Sequence, residues 1–417
     1  MGRVCVFFGL SLALRMMASA ASCPNPPLPG IGSSQIPEDV CIPAGFTDLT
    51  IDFFDDYSWR AFMAIVAPAT GSGPRAFETF HPRWEVFHED GSAPGNAARD
   101  NTCSVKTAPG DILLASSTPI YDVGQTADGA LLGPLVAQNG RYVRYLTAYN
   151  EIAYNHIVAN KWYLRSHLPE VPVPRPPVPP VQFPNGSVVV KSAWIEMDGF
   201  SEPQRKRYYT RLAMVKDPDN GKCASVVVGL VGLHIVQKTP SRPQWIWTSF
   251  EQVDNVPPAE PGSTGRFAFH DGTETPMPSQ NPYGPVPLAK EPVKPFNVAR
   301  AEKAPIHPKT VETNAKYRKL LAGTVWQNYQ LVLTQWPLMA GDQSVPVSAT
   351  QAGDIFQTFP GEGATSAFAN VTMETFNQSR PAQGCMNCHN RARLSADFLW
   401  SVFMHAYPAK IVVPEKH

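Results

Sequence analysis

Residues Cys385-Met386-Asn387-Cys388-His389 constrain this chain more than any other stretch. C-x-x-C-H is the attachment pattern of a c-type haem: two thiols add across the porphyrin vinyl groups, and the histidine that follows ligates iron. The spacing suits the chemistry, because one short turn presents both sulfurs to the macrocycle edge while the imidazole faces the metal. A thioredoxin-like pair would need a βαβ context, and a zinc site a second ligand pair at matching spacing. Neither is present. The expected cofactor is one covalent haem c, held by Cys385, Cys388 and His389, with His389 as the metal ligand.

The position of the motif excludes one plan. Only 28 residues follow His389. In small helical cytochromes c the motif comes early and an axial methionine arrives much later. Here a sixth ligand must come from the tail, where Met404 and His405 lie, or from the large upstream region.

The first residues read as a secretory signal. Arg3 precedes the apolar run Val4 to Leu14, and Ala18-Ser19-Ala20 follows as an A-x-A cleavage pattern. Cys23 as a lipidated cysteine is the weaker alternative, because the leucine expected three residues before it is missing. No later stretch approaches 18 consecutive apolar residues, so no transmembrane segment is expected and the mature chain should be soluble, periplasmic or secreted. Export agrees with the motif, since bacteria attach c-type haem outside the cytoplasm. Of seven cysteines, Cys5 leaves with the signal and two hold haem. Cys23, Cys41, Cys103 and Cys223 remain for two disulfides in an oxidising compartment, with three connectivities open and Cys23 to Cys41 favoured.

The 35 basic and 35 acidic residues cancel, which leaves no electrostatic footprint for nucleic acid or an acidic membrane. Proline is the outlier at 43 residues, concentrated in two blocks that read as inserts, 168–182 and 256–300. The expected organisation is a signal over 1–20, an N-terminal cap and extension over 21–140, and a β-rich haem domain over 141–417.

Several segments have legible periodicity. Asp55 to Val66 reads as a helix with Trp59, Phe62, Met63 and Val66 on one face, better explained as core than as haem contact. His81 to Phe87 alternates like a strand. Tyr142 to Thr147 alternates too, followed by a helical stripe at Tyr149, Ile152, Ala153 and Ile157. Ser187 to Trp194 is a strand with Lys191 on the face of Val189 and Ala193. Val226 to Val236 is apolar on both faces, as a buried central strand would be, and Gln244 to Phe250 is another strand. Pro308 to Ala322 reads as a helix and Thr324 to Trp336 as a strand. Short helices over Thr372–Gln378 and Asp397–His405 flank the motif.

Three residues upstream are candidates for the haem surroundings. Period-two counting puts His234 on one face with Gly232 and Leu230, and a glycine there lets a flat group approach the backbone. His234 is thus either a distal-pocket residue or iron ligand, or a hydrogen-bonded core histidine. Lys191 and Lys238 are cations on or just beyond buried-looking strands. A lysine near haem can ligate iron, bond to the porphyrin or donate to a bound ligand, though a strand lysine ordinarily faces water.

In order along the chain, Arg144 to Asn150 (RYLTAYN), Phe183 to Lys191 (FPNGSVVVK), a strand ending near Lys238, Trp245 with Trp247, and Cys385 to His389 followed by Asp397-Phe398-Leu399-Trp400 resemble a known group. It comprises cytochrome c-prime-beta and its hydroxylamine-oxidising relatives with a lysine-cross-linked haem, within a broader set of larger exported single-haem cytochromes. The resemblance covers about a third of the chain. It implies His389 as proximal ligand, Trp247 among the residues around the haem, an open pocket on the far face lined by the sheet, and Lys191 at or near the cross-linking position. The chain departs from the group in its long inserts, its N-terminal extension and Gly384, which supplies no acid before the first cysteine. Glu251 and Glu374 are the acids that remain for proton transfer.

The expected fold is α+β: an antiparallel twisted β-sheet with flanking helices, and a c-type haem bound by the C-terminal segment. The expected function is that of an exported mono-haem c-type cytochrome with redox or electron-transfer activity. The alternative is a haem enzyme or diatomic-gas binder acting on a small nitrogen oxide, hydroxylamine or peroxide, with His234, Lys191 and Glu251 as its working residues. Expected partners are a periplasmic redox protein, a small molecule at the haem and a second copy of the chain.

Overall fold

A computed structural model describes residues 33–42, 51–71, 73–95, 103, 111–115, 120–127, 130–169, 181–258, 267–273, 294–295, 297–301, 305–336, 369–378, 385, 389 and 392–409. The expected signal, Cys388 and most of both proline blocks lie outside these. Ten strands are described: β1 (His81–Pro82), β2 (Ile112–Leu114), β3 (Gly124–Ala127), β4 (Ala130–Pro134), β5 (Arg144–Tyr149), β6 (Val188–Glu196), β7 (Thr210–Lys216), β8 (Cys223–Gln237), β9 (Ile246–Gln252) and β10 (Tyr329–Gln335). Eight form one sheet, and β3 with β4 makes a separate hairpin. The architecture is α+β and mostly antiparallel; among the described strand pairs only β2 with β7 is parallel.

The apolar run at 226–236 becomes the middle of the sheet. β8 is long enough to be shared: its first half pairs with β7, its second half with β9, while β6 runs along its other edge. One face carries Val190, Trp194, Leu233, Ile235 and Phe250 and is covered by the helix Ile51–Val66 through Trp59 and Phe62. The helix Pro308–Leu320 adds Tyr317, whose ring stacks on Trp59. The stripe Trp59, Phe62, Met63 and Val66 is therefore core. Residues before 141 share this core and sheet through that helix, β1 and β2.

Local expectations fail where a single residue redirects the backbone. The strand over His81–Phe87 stops at Pro82, which has no N–H for the ladder, and Arg83–Val86 turns helical. Tyr149 stays in β5, because Asn150 caps the next helix by accepting from the Ala153 amide at 3.1 Å; the helix is Glu151–Ala159 and Ile152 is exposed. Val325–Asn328 is a short 3-10 turn ahead of β10. Asp397 interrupts the last helix in left-handed backbone, φ 46°. A bulge between Ala193 and Trp194 also flips the alternation, so Leu230 pairs with Trp194 and joins the helix-covered core instead of sharing the His234 face.

Cys103 is disulfide-bonded to Cys223 at the start of β8. Cys41 is also disulfide-bonded, and its expected pairing with Cys23 falls outside the described residues. Among those residues no helix is long and apolar enough to cross a membrane.

Candidate functional site

The other face of the sheet is built in three rows across β5, β6, β8 and β9. Tyr149, Val189, Val236 and Trp247 form one, and Tyr145, Ala193, Gly232 and Glu251 form another. Between them runs Thr147, Lys191, His234 and Ser249. The first row packs with Phe398, Leu399 and Val402 of the C-terminal segment. Tyr145 and Ala193 pack with Val371 and Met373. A polar row thus separates two apolar clusters, and the residue types expected near a cofactor are collected on it.

His389 comes to this face from the C-terminal segment. Its ring lies 4.2 Å from that of Trp247, centroid to centroid. Nδ1 is 2.6 Å from the Phe398 carbonyl. A carbonyl only accepts, so Nδ1 carries the proton and Nε2 presents its lone pair, the tautomer a metal-ligating histidine needs. Burial pushes the imidazole down to about 4, the Phe398 contact opposes this, and His234 and Lys191 add to the downward push. The ring is neutral near pH 7. Cys385 is half-buried and packs against the same cluster.

Lys191 and His234 are cross-strand partners. The Lys191 ammonium sits 4.9 Å from the centre of the Tyr145 ring. His234 Nε2 is 3.4 Å from Glu374 Oε1 and makes no hydrogen bond within the protein. Burial pushes the Glu374 carboxyl up, but His234, Lys191 and the Asn370 amide outweigh it and hold the group below its ordinary value. Glu374 is positioned by a segment fastened to the sheet. The Asn370 side chain donates to Ser249 Oγ at 3.1 Å, and the Tyr145 hydroxyl donates to the Thr372 carbonyl at 2.6 Å. The flat group expected over Gly232 is, within the protein, the Thr372 side chain, which a Cβ there would strike.

Glu251 is placed differently. It is buried against Arg300 and Gln330 and accepts from the Val371 amide, so its carboxylate is committed to holding the 369–378 segment. His405 lies beside Phe87, with Arg83 nearby, and Met404 is buried.

The C-terminal segment is locked to the sheet by a pair that only one half of the sequence suggested. Lys238, just past β8, donates to Asp397 Oδ2 at 2.5 Å, and the Phe183 amide donates to the same oxygen at 2.8 Å. Both side chains are almost wholly buried. Burial pushes the carboxyl up and the ammonium down, each opposed by the partner's charge. Removing one partner from such a pair costs about 3–5 kcal/mol. An aspartate inside the apolar run Leu394 to Phe403 was the available signal.

Among the described residues no group of three or more His, Cys, Asp or Glu side chains is arranged to hold a metal ion. No protein-family model, curated protein or solved structure matches this chain.

Proposed function

We propose that this chain is an exported mono-haem c-type cytochrome, with haem joined to Cys385 and Cys388 and His389 as proximal ligand. The observation that carries the reading is the 2.6 Å contact of His389 Nδ1 with the Phe398 carbonyl, from which its tautomer follows. Its half-buried, neutral ring gives its one N–H to a backbone carbonyl and keeps Nε2 for a metal. The surroundings fit the group: Trp247 and the apolar row beside it suit a macrocycle, and His234 Nε2 is a buried polar atom lacking a hydrogen bond. When bound, the haem supplies a ferric/ferrous couple and, where its second axial position is open, a place for a small ligand. The resemblance to cytochrome c-prime-beta and its hydroxylamine-oxidising relatives belongs to this proposal, as does export to the periplasm.

The His234–Glu374 contact favours a second reading, a haem enzyme or gas binder. A carboxylate beside an imidazole can take or return a proton at a bound small molecule. Glu374 takes over the acid role expected of Glu251, whose oxygens are occupied. A pure electron carrier has no use for this pair, and exchanges electrons with a redox partner instead.

The test is the absorption spectrum of the exported, reduced protein before and after carbon monoxide. A c-type spectrum that carbon monoxide leaves alone supports the carrier; one that it changes supports the open site. A protein without haem in the denatured polypeptide sinks both. Cys388→Ala must lose one thioether or the haem.

A further inference from the structure

We infer that Lys238 is a positioning residue for His389, acting through Asp397 and the Phe398 carbonyl. The inference rests on His389 being the iron ligand. Three contacts stand in series: Lys238 Nζ to Asp397 Oδ2 at 2.5 Å, the peptide link from Asp397 to Phe398, and Phe398 O to His389 Nδ1 at 2.6 Å. Each has a physical reason to be coupled to the next.

Asp397 and Phe398 both have positive φ, 46° and 73°. Left-handed backbone is disfavoured for residues with a Cβ, and two in succession persist only when the surroundings hold them. Here they are held on both sides. Phe398 is fully buried among the apolar side chains of the C-terminal segment and β9. The Asp397 carboxylate is pinned by Lys238 and by the Phe183 amide. This forced turn delivers one carbonyl to His389.

The anchor at the other end is rigid. The Lys238 amide donates to Ser187 O at 2.9 Å, and its carbonyl accepts from the Gly186 amide at 2.8 Å, so its backbone continues the sheet ladder. Its ammonium also lies 5.6 Å from the centre of the Trp245 ring. A lysine tied to the sheet therefore fixes a turn 159 residues later. A partner that accepts from the second nitrogen of a ligating imidazole makes that ligand more basic. Tightening or loosening the turn thus changes the donor strength of Nε2, which a tether elsewhere on the segment would not do.

The experiment uses the haem-loaded, exported protein and three variants: Lys238→Met, Asp397→Asn, and the double variant Lys238→Met with Asp397→Leu. Lys238→Met leaves a carboxylate buried alone; should it fail to accumulate, the double variant carries the test, since an apolar replacement of both charges is often tolerated. Expected are a lower iron–histidine stretching frequency in the ferrous resonance Raman spectrum and a higher midpoint potential. The ferrous-to-ferric ratio at fixed potential should rise about tenfold, about 59 mV for a one-electron couple. Variants that melt earlier yet keep the wild-type stretch and potential overturn the inference and leave the haem reading standing. A wild-type protein that carries no covalent haem overturns both.

Discussion

Lys191 and His234 stand directly opposite each other on adjacent antiparallel strands, between an apolar row that carries Trp247 and a row that carries Glu251. Cross-strand partners on one face lie within about 5.5 Å of each other at Cβ. Two cation-forming side chains are tolerated so close because Glu374 reaches the same place. This arrangement makes the pair directly testable.

Under the proposed haem function, His234→Phe should keep the haem covalently attached while weakening cyanide binding by the ferric protein about tenfold, the worth of one hydrogen bond to a bound ligand. Lys191→Ala should change the absorption bands. A lysine bonded to the porphyrin would also show as red-shifted bands that persist in denatured wild-type protein and vanish in the variant. Unchanged titrations and spectra would return His234 to the core and Lys191 to an ordinary strand lysine.

Asp55 should make the protein less stable as pH rises. It is buried in the helix Ile51–Val66, and burial pushes its carboxyl up to about 7, partly opposed by the hydroxyls of Thr310 and Thr334. Between its ordinary 3.8 and about 7, the folded state keeps a proton that the unfolded chain has lost. Stability from this group is therefore complete below the unfolded value and falls until pH passes the folded one, by at most about 4 kcal/mol. Urea melts at pH 5 and pH 8 should differ more in wild type than in Asp55→Asn. Equal pH dependence in both proteins would refute the assignment.

The Cys103–Cys223 disulfide spans 120 residues and ties β7 and β8 to the β2 region. Constraining so long a loop should be worth about 2–5 kcal/mol. Replacing both cysteines with alanine should lower the denaturation midpoint accordingly, and reductant should then have a smaller effect than on wild type. No loss of stability would show that the bridge adds nothing to the fold.

Gly232→Ala should destabilise by about 1–3 kcal/mol, because the new Cβ strikes Thr372 Oγ1. In a Thr372→Ala background the same substitution should cost much less. A double-mutant cycle by chemical denaturation measures the coupling. Additive costs would mean that the 369–378 segment does not press on β8 as described.

Legibility followed the range of the interactions. The helix Ile51–Val66 and the strand β8 were readable because each buries a face, or both faces, at a fixed period. Pro82 and Asn150 moved element ends by a few residues through backbone donors and caps, which periodicity does not register. The side of the sheet taken by Leu230 was misread, because a single bulge at Ala193/Trp194 reverses the alternation beyond it.

By itself the sequence determined the C-x-x-C-H pattern at Cys385 to His389, because its spacing is local and needs no fold to be read. It also determined that His234 and Lys191 lie on strands with buried neighbours. Only the tertiary structure decided that these two share a row, that Glu374 and not Glu251 faces His234, and that Lys238 meets Asp397. Those pairings join positions far apart in the chain through register, a bulge and a left-handed turn. None of these has a local period, so they become visible only once the sheet is folded.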